Sequence, residues 1–295
     1  EKITFVSSKL DANNYSNWDV SAAGDKSVVA WYTGSNPYQV YIGSNTTIYA
    51  NEDSSCLFSH IGNASTCTAT DVIVNINLLN TSEVTNMTRM FYATGARAMT
   101  KLDLGDNFDT SNVTNMAIMF FETGYNSMTR LNLGDKFDTS NVTDMHAMFY
   151  FTGLVSLESL DLGNKFNTSN VTNMSTMFMS TGASKMTSLN LGSNFNTSNV
   201  TNMNAMFFMC GKAALTSLSL GNQFYTTNVT DMTSMFEECG NGAMTSLDFG
   251  PAFTRIADSH DKFLTLCGKV GVTYYVPESI YNGNSYSFKM SANSS

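Results

Sequence analysis

Hydrophobic and polar positions recur along this chain with a single period. Leu102, Leu131, Leu160, Leu189, Leu218 and Leu247 follow one another at a constant spacing of 29 residues, and the columns around them recur too. Each unit reads L-x-L-G-x-x-F-x-T-(S/T)-N-V-T-(N/D)-M-x-x-M-F, then a variable stretch with a Gly, then an apolar residue before the next strand. A constant period of this length marks a solenoid, in which each unit buries its apolar face only by stacking on its neighbours. Five close copies run from Leu102 to Thr245, flanked by imperfect ones.

Inside a unit, Leu102, outward Asp103 and inward Leu104 alternate as a short half-buried strand, and Gly105 breaks it. Phe108, Val113 and Met116 point back inside, Thr114 offers an oxygen to cap a short helical turn carrying Met119 and Phe120 inward, and Gly124 ends that turn. The expected fold is therefore an α/β repeat solenoid of leucine-rich-repeat-like 29-residue coils, each a short parallel strand plus a short helical turn. Parallel coils stack roughly 4.8 Å apart.

The ends depart from the period, as stacked folds require, because a naked terminal coil would expose its core. Residues 1–72 read as an N-terminal cap: a β-hairpin of Val28 to Tyr32 and Tyr38 to Ile42, joined through Thr33 to Pro37, then a degenerate coil with Leu57-Phe58 in the Met-Phe place. Residues 73–253 form the regular array. Residues 254–295 hold a degenerate last coil, with Phe263-Leu264 and Cys267-Gly268, and a closing strand from Val272 to Val276.

The motif F-(D/N)-T-S-N-V-T-(N/D)-M-x-x-M-F stands at Phe108 to Phe120, Phe137 to Phe149, Phe166 to Phe178 and Phe195 to Phe207. With the opening Asn17-Trp18-Asp19-Val20-Ser21 and the closing Tyr274-Tyr275-Val276-Pro277-Glu278-Ser279, it resembles the BspA-like leucine-rich-repeat surface proteins over nearly the whole chain. The resemblance implies an extracellular or cell-surface protein of the adhesin type, without a catalytic role, and it carries no ligand residues across. One departure is that the family's frequent Cys after Met-Phe is Thr94, Thr123, Thr152 and Thr181 here, and Cys only at Cys210, Cys239 and Cys267.

Composition narrows the partners. Charged residues make up 13% of the chain, about half the usual ~25%, so the surface is neutral and polar. A net charge of −9 argues against nucleic acid and anionic membranes, which demand a basic face. No apolar run approaches a membrane span and no signal peptide opens the chain, which predicts no membrane insertion; a start at Glu1 rather than Met reads as a processed mature chain or a trimmed one, with room for a signal or anchor removed from either end.

Catalytic chemistry has no visible equipment. His60, His146 and His260 lie in unrelated contexts, and no zinc-protease, nucleophile-elbow or phosphate-loop motif is present, so neither an enzyme nor a cofactor or metal is expected. The methionines paired as Met116/Met119, and likewise in the other units, read as core filling. Asn112, Asn141, Asn170, Asn199 and Asn228 are formal glycosylation sequons, but their regular recurrence reads as an internal ladder of amides bonded to backbone groups of adjacent coils. Cys56 and Cys67 bracket a short loop and could close it as a disulfide; the Cys210, Cys239 and Cys267 column wants a small residue, and free thiols are expected there.

Stacked outward positions form one surface, so the candidate binding residues are the strand column Asp103, Asn132, Asp161 and Asn190 with Lys101 and Arg130 beside it. One Asp per coil is too few for calcium. Loops such as Glu122 to Ser127, and the aromatic hairpin of Trp31, Tyr32, Tyr38 and Tyr41, are the fallback. The expected function is recognition of a protein or glycan on a cell surface or matrix; the alternative is self-association into a fibre or surface layer.

Overall fold

The computed structural model describes residues 1–35, 38–281 and 290–292. The turn expected at Thr33 to Pro37 lies partly outside them, at Asn36 and Pro37, and so does most of the expected cap beyond Tyr281.

The architecture is mostly sheet, built from repeated short strands. Strands β1 (Lys2–Val6), β2 (Asn17–Asp19), β3 (Val28–Thr33), β4 (Gln39–Ser44), β5 (Ile48–Tyr49), β6 (Ile73–Val74) and β7 (Leu79–Asn80) precede the regular array. The array contributes one strand per repeat: β8 (Lys101–Asp103), β9 (Arg130–Asn132), β10 (Ser159–Asp161), β11 (Ser188–Asn190), β12 (Ser217–Ser219) and β13 (Ser246–Asp248). β14 (Thr273–Val276), the short helix α1 (Glu278–Tyr281) and β15 (Met290–Ala292) follow. The N-terminal sheet is ordered β2-β3-β4-β1-β6: β3 and β4 form an antiparallel hairpin, while β1 runs parallel to both β4 and β6. Pairs within the array are parallel and in register, with Leu102 opposite Leu131, Leu160 opposite Leu189 and Leu218 opposite Leu247.

The helical turn expected in each repeat does not form. From Met116 to Thr123 the chain instead makes successive tight turns, with Met119 N–H bonded to Met116 O, Phe121 N–H to Ile118 O and Thr123 N–H to Phe120 O. Two turns place a left-handed residue at their third position, Ile118 (φ 62°) and Glu122 (φ 55°), and left-handed residues recur at Ala147 and Phe151, Thr176 and Ser180, and Ala205 and Met209. That alternation turns every second N–H along the stacking direction. Met116, Ile118, Phe120 and Glu122 donate to the carbonyls of Asp144, His146, Met148 and Tyr150 in the next repeat. A helix would have kept those bonds within the unit; here the repeat cannot satisfy its own backbone. Thr114 is accordingly no cap, because its N–H and hydroxyl both donate backwards to Thr85 O, at 2.8 and 3.2 Å.

A parallel bridge column marks the continuity of this turn side. It runs Asp53, Asn86, Asn115, Asp144, Asn173, Asn202, Asp231 and Ser259 without a gap. Where the residue is Asn or Asp in the array, its Oδ1 accepts the N–H two residues on, as Asn115 does from Ala117 and Asn173 from Ser175.

The core is an apolar stack threaded by polar ladders. Met116, Met119, Val113 and Phe120 are fully buried, as are their counterparts in each array repeat. Phe91, Phe120, Phe149, Phe178, Phe207 and Phe236 stack face to face, with neighbouring centroids such as Phe120 and Phe149 at 5.4 Å and 5° between planes. Each stacked pair adds about 0.5–1.5 kcal/mol beyond its buried area. Two threonine columns sit in the same dry interior. Thr94, Thr123, Thr152 and Thr181 donate to the Phe carbonyl of an earlier repeat at 2.6–2.7 Å. Thr110, Thr139 and Thr168 donate forwards to Asp138, Asn167 and Asn196 carbonyls at 2.7–2.8 Å. Small size alone therefore does not explain the first column; it also supplies a donor.

These contacts rank three substitutions. Met148→Asp strands a charge in the stacked core and costs several kcal/mol. Thr152→Val keeps the volume but removes one of the two hydrogen bonds to the Phe120 carbonyl, which keeps the Thr123 N–H, for about 0.5–1.5 kcal/mol. Thr152→Cys, with a weak S–H donor, costs less than Val. Thermal melts that fail to follow this order contradict the buried-ladder arrangement.

Candidate functional site

The expected binding residues share one face. Lys101, Asp103, Arg130, Asp161 and Asn190 are exposed on their strands, and Asn132 is half-buried. The face places them together but does not leave them all free. Asn132 Nδ2 donates to Asp103 Oδ1 at 2.9 Å, and Asn190 Nδ2 to Asp161 Oδ1 at 3.0 Å. The same Oδ1 atoms accept the N–H of Gly105 and Gly163.

Two clefts open on this face. One, of about 650 Å³, lies between the β9 and β10 segments and is lined by Arg130, Asn132, Asp135, Glu158 and Asp161. The other, of about 480 Å³, lies between the β6 and β8 segments and is lined by Asp71, Asn75, Lys101, Asp103 and Asp106. Both are polar and weakly acidic. Sequence reasoning found the column but not the clefts, or the part of Asp135, Glu158 and Asp106, because these residues fall in the variable positions beside the strands.

Other sequence candidates occupy different surroundings. Trp31 and Tyr41 are not surface aromatics: Trp31 is buried against Ala12 and Val29 and stacks on Tyr41 at 5.5 Å. Tyr32 and Tyr38 are exposed, and Trp18 joins them, with centroids 6.2 Å from Trp18 to Tyr32 and 5.3 Å from Tyr32 to Tyr38. The loop residue Glu122 belongs to the turn side, where half-buried Tyr92, Phe121 and Tyr150 follow one another at 5.0 and 4.8 Å. The asparagine column is a ladder, with Asn112 Nδ2 on Ser82 O and Asn141 Nδ2 on Ser111 O at 2.8 and 2.7 Å, but it is exposed rather than internal.

Comparison with known families places the chain. The model of the family described as "Mycoplasma protein of unknown function, DUF285" matches residues 62–153 and 124–247, together well over half of the sequence. The chain belongs to this family. Searches of curated proteins and of solved structures each returned no match. Among the described residues of this DUF285 protein, no helix is long and apolar enough to cross a membrane. No group of three or more His, Cys, Asp and Glu side chains among them converges as a metal site.

The cysteines of the DUF285 chain are unbridged. Cys56 is exposed at a left-handed position (φ 59°) while Cys67 is buried, so the expected Cys56–Cys67 pairing is not formed. A hydrogen bond to Cys239, and then burial, raises the Cys210 thiol pKa well above its ordinary value, and burial does the same for Cys267. Thiols held protonated in a dry core are inert towards alkylation. Iodoacetamide at neutral pH should therefore modify Cys56 in the native protein and all of Cys56, Cys67, Cys210, Cys239 and Cys267 after denaturation, as read by intact mass without reductant. Rapid native labelling of Cys210 or Cys239 would place that column outside the core.

Proposed function

We propose that this protein is an extracellular recognition module, a BspA-like solenoid that binds a macromolecule of a neighbouring cell or matrix through its strand face. The observation that carries the reading is the repeated display on that face. Asp103, Asn132, Asp161 and Asn190 stand outward in successive repeats, and two polar clefts open beside them. A rigid row of this kind suits an extended partner that meets several repeats at once. The low charge, the net acidity and the family resemblance support a neutral or cationic partner outside the cell. No catalytic constellation is nominated, so the reading is of a binding protein rather than an enzyme.

A second reading has its own support. Among the described residues, β2 lies at one end of the N-terminal sheet and β15 at one end of the C-terminal sheet, each with a strand on one side only. Unpaired strand edges are templates for joining copies end to end. Molar mass by light scattering across a wide concentration range tests it: a constant monomer mass removes self-association, and growth with concentration supports it.

Replacing Asp103, Asn132, Asp161 and Asn190 together by Ala tests the recognition reading. The side chains bury little core area but cap Gly105 and Gly163, so the melt should fall by only a few degrees. Capture of cell-surface or matrix material by the purified protein should fall at least ~10-fold, in keeping with loss of contacts at several linked sites. Full retention of capture with a near-normal melt would move the function off this face.

A further inference from the structure

Along the array the strand face opens as two blocks of two repeats, β8–β9 and β10–β11, and closes in the continuous run β12-β13-β14-β15, whereas the turn side is continuous. β8 pairs with β9, β10 with β11 and β12 with β13, but no ladder joins β9 to β10 or β11 to β12. Backbone bonds just after the strands follow suit: Leu104, Leu162 and Leu220 donate to Asn132, Asn190 and Asp248, and no such bond leaves Leu133 or Leu191 among the described residues. At the strand starts the gaps are still bridged, by Thr100 N–H on Thr70 O and Glu158 N–H on Thr129 O. Side chains repeat the alternation, because the Asn132–Asp103 and Asn190–Asp161 bonds lie within blocks. Glycines repeat it again. A Cβ on Gly134 would lie 2.1 Å from Gly105 O, and one on Gly192 2.3 Å from Gly163 O, whereas Gly163 has open space. The blocks are thus closed tightly inside, and between them the strands are joined at their starts and open further along.

Both clefts lie at gaps, one before the β8–β9 block and the other after it. They are two repeats apart, about 10 Å at the spacing of parallel strands. We infer that the clefts are paired subsites for an extended, neutral, β-linked polysaccharide lying along the stack, about one disaccharide to a block. This rests on the recognition reading above and specifies its ligand.

Spacing and lining select this occupant. One pyranose ring of an extended chain advances by about one strand spacing, so rings two apart fall at equivalent clefts. An extended peptide presents equivalent side chains every ~6.8 Å and would drift out of register. A polyproline helix repeats every ~9.3 Å, which is closer, but it is received by aromatic-lined grooves, and no aromatic residue lines either cleft. The linings do offer what hydroxyl groups use. Asp103 and Asp161 commit Oδ1 internally, which leaves Oδ2 to accept from a hydroxyl, while Lys101 and Arg130 donate. Each cleft carries one cation against three carboxylates, Asp71, Asp103 and Asp106 in the first and Asp135, Glu158 and Asp161 in the second. That balance repels a polyanionic glycan.

Titration calorimetry of the full chain with cellohexaose, N-acetylchitohexaose and hyaluronan hexasaccharide, and with the disaccharides of the first two, tests the assignment. At least one neutral hexasaccharide should bind, at least ~10-fold more tightly than its disaccharide because it reaches both subsites. The acidic hexasaccharide should not bind. Arg130→Ala with Glu158→Ala should reduce the hexasaccharide to the affinity of the disaccharide without moving the melt, and Lys212→Ala, on the turn side, should leave it unchanged. Absence of binding by both neutral hexasaccharides, binding independent of chain length, or binding indifferent to the Arg130 and Glu158 changes overturns the glycan assignment. If the strand-face alanine variant still loses capture of cell-surface material in that event, the recognition reading stands without it; if capture is retained, both fall.

Discussion

No repeat in this protein can satisfy its own backbone. The tight turns from Met116 to Thr123 send alternate N–H groups to the carbonyls of the following unit, so a unit without a successor would leave Met116, Ile118, Phe120 and Glu122 unpaired. Burying such donors costs roughly 1–3 kcal/mol each, which makes the stack cooperative along its length. The same dependence accounts for the strained left-handed positions at Ile118 and Glu122. A branched residue tolerates that conformation only where its surroundings over-determine it, and here the bonds to the next repeat do so. It also governs the ends: Asp53 receives the bridge column on one side and Ser259 closes it on the other, both in units whose sequence has drifted from the period.

The interior follows from the backbone arrangement. Identical residues are brought into vertical register, so an apolar position becomes a stack of rings and a polar position becomes a ladder. Threonine can be fully buried twice per repeat because each column finds a carbonyl in a different neighbour, one behind and one ahead. Towards the C-terminal end the first column changes to Cys210, Cys239 and Cys267, where Tyr274 donates to the Cys267 carbonyl at 2.9 Å. The thiols keep the small volume, and the phenol supplies a donor at the last step.

The strand side is under weaker constraint, and this is where the two polar clefts open. With continuity secured by the turn side, β8–β9 and β10–β11 can pair by twos and leave gaps beside them. Those gaps become clefts lined by residues that differ from repeat to repeat. A regular scaffold thereby presents an irregular surface at a regular spacing.

Much of this was legible in one dimension. The 29-residue period, the inward Leu, Met and Phe columns and the outward Asp103, Asn132, Asp161 and Asn190 follow from alternation and recurrence alone, because side-chain direction in a short strand depends on position parity and core membership on period. The turn conformation was not legible. Val-Thr-Asn-Met-x-x-Met-Phe carries a helix-like spacing, and only the stacking of copies, which offers each N–H an acceptor in the next unit, makes consecutive turns preferable to a helix. Sequence likewise gave no sign that the asparagine ladder is exposed or that Trp31 is buried while Trp18 is not, since both depend on which side of the sheet the neighbouring chain covers. The division of the strand face into blocks belongs to tertiary structure most completely. It arises from a choice of partner, Gly134 with Gly105 and Gly192 with Gly163, and an isolated repeat holds no information about which neighbour it will grip.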